Sequence, residues 1–426
     1  TTTSGLTAGV LRAARLRVWR NREGANLLRG IAAALIIRAR PSGRLRWHGN
    51  AAAVFEVDEA AFAAVVAAVR PHVVAVTNLF RDQLDRYGEV DTVAERWRAA
   101  LRRLPAGTTL VLNADDPAVA ALGEGIAGRV VYFGVASAAV SEPSQVGEVV
   151  DTRTCPRCGA VLDFAPRFFS HVGHWACHSC GYARPAPAVE ARDVRLDGLD
   201  DTRFTLATPG TPGTPGTQDA QESPDAPKAM RAVRLPLPGL YNVYNALAAA
   251  AISCALDVSP AALDALERFA PAFGRAERIT VDGRTVQLLL AKNPTGLNEV
   301  LRTLAGTAGS AREGAGDERR HLLLALNDHA ADGEDVSWIW DAGIERLAGI
   351  AGDVTVTGTR AYDLALRLKY AGIAPARVEP DPAVALREAL AATPEGETLY
   401  AVPTYTAMLE LRAALERAGY VPHYWE

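Results

Sequence analysis

The chain has 426 residues, enough for two or three domains, and 49% of them are hydrophobic against 22% charged, the balance of an ordinary globular protein. Its net charge of −4 offers no basic footprint, which excludes nucleic acid as an expected partner. No apolar run reaches the roughly 20 residues that a membrane-spanning helix requires, and the opening Thr1-Thr2-Thr3-Ser4-Gly5, with neither a methionine nor a signal-peptide profile, is expected to be a cut inside a longer protein.

From Thr1 to about Val131, apolar stretches with helical period (Leu6–Val18, Gly24–Leu35, Val90–Leu104) alternate with short β-rich runs (Ala53–Val57, Val73–Thr77, Thr109–Leu112, Val130–Phe133). Short strands separated by helices predict an α/β fold with a doubly wound, parallel-rich sheet. Residues 152–185 interrupt the pattern with cysteines, aromatics and turns. The stretch 208–228 opens on a Thr-Pro-Gly repeat and continues polar, so a disordered loop is expected there. A strand near Val233 and an Ala-rich helix, Tyr241–Ala255, follow. A second α/β block runs from about Arg278 to the end, with strand candidates Gln287–Leu290, His321–Leu326, Asp353–Thr357 and Thr398–Val402.

Four of the five cysteines form two CxxC pairs, Cys155/Cys158 and Cys177/Cys180, with 18 residues between the pairs. That spacing predicts a tetrahedral four-thiolate Zn²⁺ site, closed and therefore structural, with a glycine after each pair to complete the turn. His171, His174 and His178 are expected to be packing or surface residues. Cys254 stands alone in an apolar helical run. Such usage suits a metal site in a reducing cytoplasm better than a disulfide framework.

Several segments carry a family resemblance. Thr77–Glu89 (TNLFRDQLDRYGE), Asn113–Pro117 (NADDP), Leu237–Ala246 (LPGLYNVYNA) and Gly274–Glu277 (GRAE) resemble, in order, the motifs of the Mur ligase family's central ATPase domain. Ala291–Gly296 (AKNPTG), Leu326–Asp341 (LNDHAADGEDVSWIWD) and the four-cysteine insert resemble the MurT branch of that family. The resemblance implies a Mur-ligase-like central ATP-binding domain over 1–277, with a zinc ribbon inserted at 152–185, and a smaller α/β C-terminal domain over 278–426 that binds a glutaminase. It implies ATP-dependent amidation of the α-carboxylate of D-glutamate in the lipid II stem peptide, through an acyl phosphate. Ammonia would come from a separate GatD-like class I glutaminase, since this chain shows no nucleophile–base pair for glutamine hydrolysis. The heterodimer is expected at the cytoplasmic face of the plasma membrane, tied to it through its substrate only. The alternatives are a Mur ligase or folylpolyglutamate-type synthetase that adds an amino acid, a scaffold with a decayed ATPase loop, and a zinc-ribbon nucleic-acid binder. The insert and the DGEDVSWIWD segment argue against the first, and the negative charge against the last.

Residue roles follow from the same resemblance. The family's phosphate-binding loop ends in Gly-Lys-Thr-Thr-Thr, and Thr1, Thr2 and Thr3 match its tail, so this chain alone is expected to bind ATP weakly. Glu56, at a strand end, is a Mg²⁺ ligand by resemblance, or else part of an acidic helix N-terminus with Asp58 and Glu59. Asn78 and Asp82 fit contacts near the metal or substrate, and Gln83 stands where Mur ligases often carry histidine. Asn242 and Asn245, at i and i+3, either approach the nucleotide base or cap their helix. Asp115 and Asp116 belong either to the site or to an Asx turn. Arg275 is expected to reach ATP from the domain junction, and Lys292 to meet a phosphate or carboxylate. One aspartate, Asp335 before Asp341 and Asp332, would complete a Cys-His-Asp triad with the partner, or these residues cap a loop and helix. His329 replaces the asparagine of the family motif.

Overall fold

The computed structural model describes residues 1–21, 25–46, 49–80, 90–141, 154–196, 199, 201–210, 228–270, 275–306 and 319–422, with positions 90, 91, 275 and 276 described for their backbone alone. The chain opens with α1 (Thr2–Ala13), β1 (Arg17–Arg20), α2 (Leu28–Ile36), β2 (Ala51–Val54), α3 (Phe62–Val69), β3 (Val73–Val76) and α4 (Val90–Leu101). Next come β4 (Thr109–Asn113), α5 (Pro117–Ala120), β5 (Val130–Val135), β6 (Asp163–Phe169), β7 (Val172–Ala176), β8 (Val189–Arg195), β9 (Thr202–Pro209), β10 (Lys228–Leu235) and α6 (Leu240–Ala255). The remainder is β11 (Arg275–Val281), β12 (Arg284–Leu289), α7 (Pro294–Gly306), β13 (Arg320–Ala325), β14 (Ala351–Thr357), α8 (Ala361–Tyr370), β15 (Arg377–Val378), α9 (Pro382–Ala392), β16 (Thr398–Pro403) and α10 (Tyr405–Arg417).

The first six-stranded sheet has the order β10-β9-β8-β5-β4-β3. Strands β3, β4, β5 and β8 are parallel, and β8, β9 and β10 antiparallel. Parallel strands covered on both faces read as continuous apolar runs, and Leu110, Val111 and Leu112 of β4 are fully buried. Helix α6 packs on this sheet and on α1. It is apolar on all sides, and its alanines 246 and 248 to 251 are fully buried, which lets its backbone lie close to its neighbours. Strands β1 and β2 form a separate parallel pair.

The second sheet has the order β11-β12-β16-β13-β14-β15, parallel except for the β11–β12 hairpin. Alternate residues face opposite ways in a strand. Leu322 and Leu324 of β13 join α7 and α8 on one face, while Leu323 and Ala325 join α9 and α10 on the other. The connection after β13 therefore leaves toward one face and the helix after β16 toward the other. A crevice opens where two such connections part at the carboxyl ends of the strands. Helix α7 of the second block is tied to the first by Arg302, which donates from Nη1 to Phe168 O of β6 (3.1 Å) and from Nη2 to Val140 O (2.9 Å). Gln287 Nε2 donates to Leu199 O (3.1 Å).

Several expected boundaries move. The helix read as Leu6–Val18 ends at Ala13, because Arg15 takes a left-handed turn (φ 63°) into β1. The expected loop 208–228 is shorter at both ends: Thr208 and Pro209 close β9, Lys228 opens β10, and 211–227 lie outside the described residues. The second block begins with a hairpin from Arg275 rather than with a lone strand at Gln287. No helix is long and apolar enough to cross a membrane among the described residues.

Candidate active site

The N-terminus of α1 meets the end of β2. Thr1 Oγ1 donates to Glu56 Oε1 (2.8 Å), and Ser4 Oγ, 3.3 Å from Oε2, points to the other carboxylate oxygen. Arg20 Nη2 donates to Ser4 Oγ (3.0 Å). Asn21 sets the strand end: its Oδ1 accepts from Glu56 N (3.0 Å) and its Nδ2 donates to Glu56 O (2.9 Å). On the other side Thr3 Oγ1 donates to Asn245 Oδ1 (2.6 Å), and Asn245 Nδ2 to Asn242 Oδ1 (3.1 Å). Asn242 is buried, and its Nδ2 donates to Pro238 O (2.7 Å), so it fixes the start of α6. Thr2 is buried beneath the corner. A helix N-terminus presents free N–H groups and a partial positive charge, suited to a phosphate. A carboxylate and a hydroxyl converging there are hard oxygen donors suited to Mg²⁺. The structure thus brings Thr1, Thr3, Glu56, Asn242 and Asn245 together, and adds Ser4, Arg20 and Asn21, which the sequence reading missed. Asn21 was obscured because the helix expected over Leu6–Val18 overlaps the first two residues of β1, which aims it.

The NADDP turn does other work. Asn113 Nδ2 donates to Asn78 Oδ1 (3.0 Å). Asp115 and Asp116 are both wholly buried. Asp115 Oδ2 accepts from Val135 N (2.7 Å) and the Tyr244 hydroxyl (2.7 Å), and its Oδ1 accepts from Arg184 Nε. Burial pushes the Tyr244 hydroxyl well above its ordinary pKa, and the Asp115 charge adds to the effect. Asp116 Oδ1 caps α5 through Ala118 N and Val119 N, while Oδ2 accepts from Leu79 N (2.9 Å) and lies 3.2 Å from His171 Nε2. Trp175 Nε1 donates to Ala114 O (3.0 Å), Gly173 N to Asp115 O (2.9 Å) and His174 Nε2 to Val135 O (2.7 Å). The turn is therefore the seat on which the cysteine insert rests. Of the three histidines, His171 is buried, His174 is held by a strand carbonyl and His178 is exposed. Arg81, Asp82 and Gln83 lie outside the described residues.

The four cysteine sulfurs lie within 4.8 Å of one another and form a group that could hold a metal ion. Cys155 and Cys180 Sγ are 3.7 Å apart, and Cys158 and Cys177 Sγ 3.5 Å. A tetrahedral Zn²⁺ with ~2.3 Å bonds spaces its sulfurs by about 3.8 Å, so the donor set fits. The two turns are alike. Gly159 N donates to Cys155 O and Cys155 N to Ala160 O; Gly181 N donates to Cys177 O and Cys177 N to Tyr182 O. Both glycines take a left-handed backbone (φ 75° and 74°), which a side chain would strain. The backbone amide of Cys180 is the main influence drawing the Cys177 thiol down to about 6. Burial instead pushes the Cys254 thiol up to about 11, an unreactive state.

At the carboxyl edge of the second sheet, Lys292 follows β12 and precedes α7, whose start is capped by Asn293 Oδ1 accepting from Gly296 N (2.7 Å). Arg275 pairs with Leu289, which brings its backbone to the same edge; its side chain lies outside the described residues. In the crevice between β13 and β16, buried Asn327 accepts from Thr359 N (2.9 Å) and donates to Thr406 Oγ1 (2.9 Å). Asp332 is also buried: it accepts from Thr406 N (2.8 Å) on one oxygen and from Thr406 Oγ1 on the other. It fastens the acidic segment to the start of α10. Asp335 and Asp341 are exposed. Asp335 Oδ1 accepts from Ser337 N (2.8 Å), and its hydrogen bonds to Ser337 hold the carboxyl below its usual range. Beside them an exposed patch of Trp340, Tyr362, Leu366 and Tyr370 covers α8 and the turn Ser337–Asp341. His329 lies 3.8 Å from Glu410.

Two linked α/β sheets, with a helix N-terminus and a carboxylate meeting at the end of a parallel strand pair, define a Mur-type ligase. A pseudomurein peptide ligase type C from Methanothermus fervidus shares the fold at a TM-score of 0.68 and 22% identity, over 98% of this chain and 76% of that one. MurF ligase from Thermotoga maritima in complex with ADP shares it at 0.59 and 12% identity, over 98% and 77%. Residues 42–155 match the Mur ligase middle domain and residues 290–408 the MurT ligase C-terminal family. The lipid II isoglutaminyl synthase (glutamine-hydrolyzing) subunit MurT of Staphylococcus aureus is 32% identical over 98% of this chain and 85% of its own length. Its counterpart from Streptococcus pneumoniae is 28% identical over 97% and 84%. The chain belongs to the MurT family.

Proposed function

We propose that this chain is the ATP-dependent synthetase subunit of a lipid II isoglutaminyl synthase, a carbon–nitrogen ligase of peptidoglycan synthesis. The observation that carries the reading is the meeting of the Thr1 hydroxyl and the Glu56 carboxylate at the N-terminus of α1, in a chain whose MurT relatives are named as subunits of that enzyme. The α-carboxylate of D-glutamate in the stem peptide takes the γ-phosphoryl group of ATP, giving an acyl phosphate and ADP. Ammonia attacks the acyl carbon, phosphate leaves, and the added nitrogen loses a proton to give D-isoglutamine.

The chain's own groups supply position and charge. The α1 N-terminus faces the phosphates, and Thr1 and Glu56 would hold Mg²⁺, which when bound neutralises phosphate charge during transfer. Asn21 holds Glu56 by its backbone, and Arg20 holds Ser4. Asn245 joins α6 to Thr3 and so keeps the nucleotide side of the corner in register. Lys292 and Arg275 are the cations offered from the second domain. The four cysteines would hold a structural Zn²⁺.

Ammonia would come from a GatD-like glutaminase docked on the C-terminal domain. The exposed Trp340, Tyr362, Leu366 and Tyr370 support a protein interface there, since aromatic residues anchor such surfaces. Asp335 is the residue proposed to orient the partner's histidine, because it is exposed and held ionised, whereas Asp332 is committed to Thr406. The complex would act at the inner face of the plasma membrane, where a lipid-linked precursor is found. The test uses the full chain with its partner, supplied with lipid II, ATP and either glutamine or ammonia. Glu56→Gln should lower both reactions by at least about a hundredfold with an unchanged unfolding curve. An unchanged rate would move the metal elsewhere, and incorporation of an amino acid instead of ammonia would overturn the reaction.

A further inference from the structure

One surface of the central domain is unlike the rest of the chain. Helix α2 is seated by one side only: Ile31 is buried, and Leu35 beside it packs against the α3 side. The other side turns large aliphatic side chains to solvent. Ile36 is 71% exposed and Ile37 70%, with Leu27, Leu28 and Leu45 also exposed. Between residues 25 and 55 there are five arginines (Arg29, Arg38, Arg40, Arg44 and Arg46) and no aspartate or glutamate, in a chain whose net charge is −4. All five are exposed, and none is paired with a carboxylate among the described residues. After α2 the chain turns back in a tight hairpin. Arg40 N donates to Arg44 O (2.8 Å) and Arg46 N to Arg38 O (2.8 Å), around the Ala39–Leu45 bridge. The hairpin thus follows the exposed isoleucines directly in the chain, with the Arg38 guanidinium 5.3 Å over the Trp19 ring.

Exposed aliphatic side chains beside arginines that pair with no carboxylate among the described residues match an anionic lipid surface. The aliphatics enter the boundary between headgroups and acyl chains, and the guanidinium groups meet lipid phosphates. A protein partner of ordinary composition would favour aromatic anchors, and among the described residues the exposed large side chains of this face are all aliphatic. We infer that α2 and the hairpin 38–46 form a peripheral docking face for an anionic bilayer, so that the chain reaches the membrane by its own surface and not through its substrate alone. The inference stands on this surface and not on the reaction proposed above. The two are compatible in geometry. Helix α2 starts beside the phosphate corner, where Asn21 Nδ2 donates to Ala25 O (2.8 Å) and Asp58 N to Asn26 O (3.0 Å). Docking α2 therefore brings that corner to the lipid surface.

The test is flotation of the full-length complex with phosphatidylcholine vesicles, with and without phosphatidylglycerol. The protein should float with the anionic vesicles only, and high salt should release it. Each arginine near an anionic surface contributes about fivefold to partitioning, so Arg40→Gln with Arg44→Gln should weaken it roughly 25-fold. Ile36→Ser with Ile37→Ser should weaken flotation on the anionic vesicles severalfold with the arginines intact. Both pairs are exposed, so urea unfolding should not change, and amidation of a soluble, short-chain substrate should match the parent. Absence of flotation, or flotation equal on neutral vesicles and indifferent to the arginines, would overturn the inference. So would protection of an Ile37→Cys thiol from labelling in the vesicle-free complex, which would assign the face to a protein contact. If the soluble substrate is not amidated by the parent while flotation persists, the reaction is what fails.

Discussion

Replacing Asp116 with alanine should be among the most costly single changes in the central domain, and its cost can be worked from the contacts. The carboxylate caps α5 through Ala118 N and Val119 N, and loss of such a cap costs ~1 kcal/mol. It also accepts from Leu79 N and sits beside His171 Nε2, both in the wholly buried interior. Each buried donor left without an acceptor costs about 1–3 kcal/mol. The combined loss is about 3–7 kcal/mol, roughly 6–28 °C in melting temperature for a domain of this size. The control is an exposed Asp–His contact, Asp163 with His178 at 3.3 Å, whose side chains are 64% and 81% exposed. Asp163→Ala should leave stability nearly unchanged, since exposed pairs are screened and mobile. Urea unfolding followed by tryptophan fluorescence reads both variants, and Trp175, which donates to Ala114 O, reports directly on the seat. A loss below about 1 kcal/mol for Asp116→Ala would refute the reasoning, because the buried groups would have found other partners.

Three further outcomes are expected. Metal analysis should find about one Zn²⁺ per chain, and Cys155→Ser with Cys177→Ser should lower solubility or thermal stability; a folded, metal-free variant that loses only catalysis would contradict a structural role. Asp335→Asn should suppress glutamine-driven amidation while ammonia-driven amidation and copurification of the partner survive, and an equal fall in both reactions would assign the segment to the synthetase site. Asn245→Ala removes the acceptor of Thr3 Oγ1 and should weaken ATP binding severalfold without altering glutaminase association, measured by nucleotide titration of the complex.

Much of the fold was legible because its strands are buried. Thr109–Asn113 and Val130–Val135 are near-continuous apolar runs, as covered parallel strands must be, and the edge strand Val73–Val76 is apolar throughout although Ala75 is exposed. β1 was not, because Arg17-Val18-Trp19-Arg20 follows an apolar helix and the break rests on a left-handed arginine, which no glycine announces. β8 was hidden by its polar sequence, Val189-Glu190-Ala191-Arg192-Asp193-Val194-Arg195. The candidate site divides in the same way. The cysteine spacing is local, and it points to one ion without tertiary information. The Thr1–Glu56 corner was reached through resemblance, since nothing local joins residues 55 positions apart. The burial of Asp332 and the seating of the insert on Asp115 and Asp116 were illegible, because their partners lie on distant strands and helices. An Asx turn and a buried fastening point share the same Asn-Ala-Asp-Asp-Pro letters.

The contacts of Asp115 also set an order of assembly. Its side chain closes on Val135, Arg184 and Tyr244, which are 20, 69 and 129 residues further along the chain. Each Cys-x-x-Cys turn closes within a few residues, and the hairpin Asp163–Ala176 lies between them. Local contacts form early and distant ones late. Thiolate turns organised by an ion can therefore be complete while the central sheet is still searching for its partners. The finished insert would then offer Arg184 and Gly173 as a template, and Asp115 is expected to close last, when α6 arrives with Tyr244. A chain whose cysteines lack the proposed Zn²⁺ would lack that template, leaving the turn of Asp115 and Asp116 uncovered for longer and the chain open to intermolecular association.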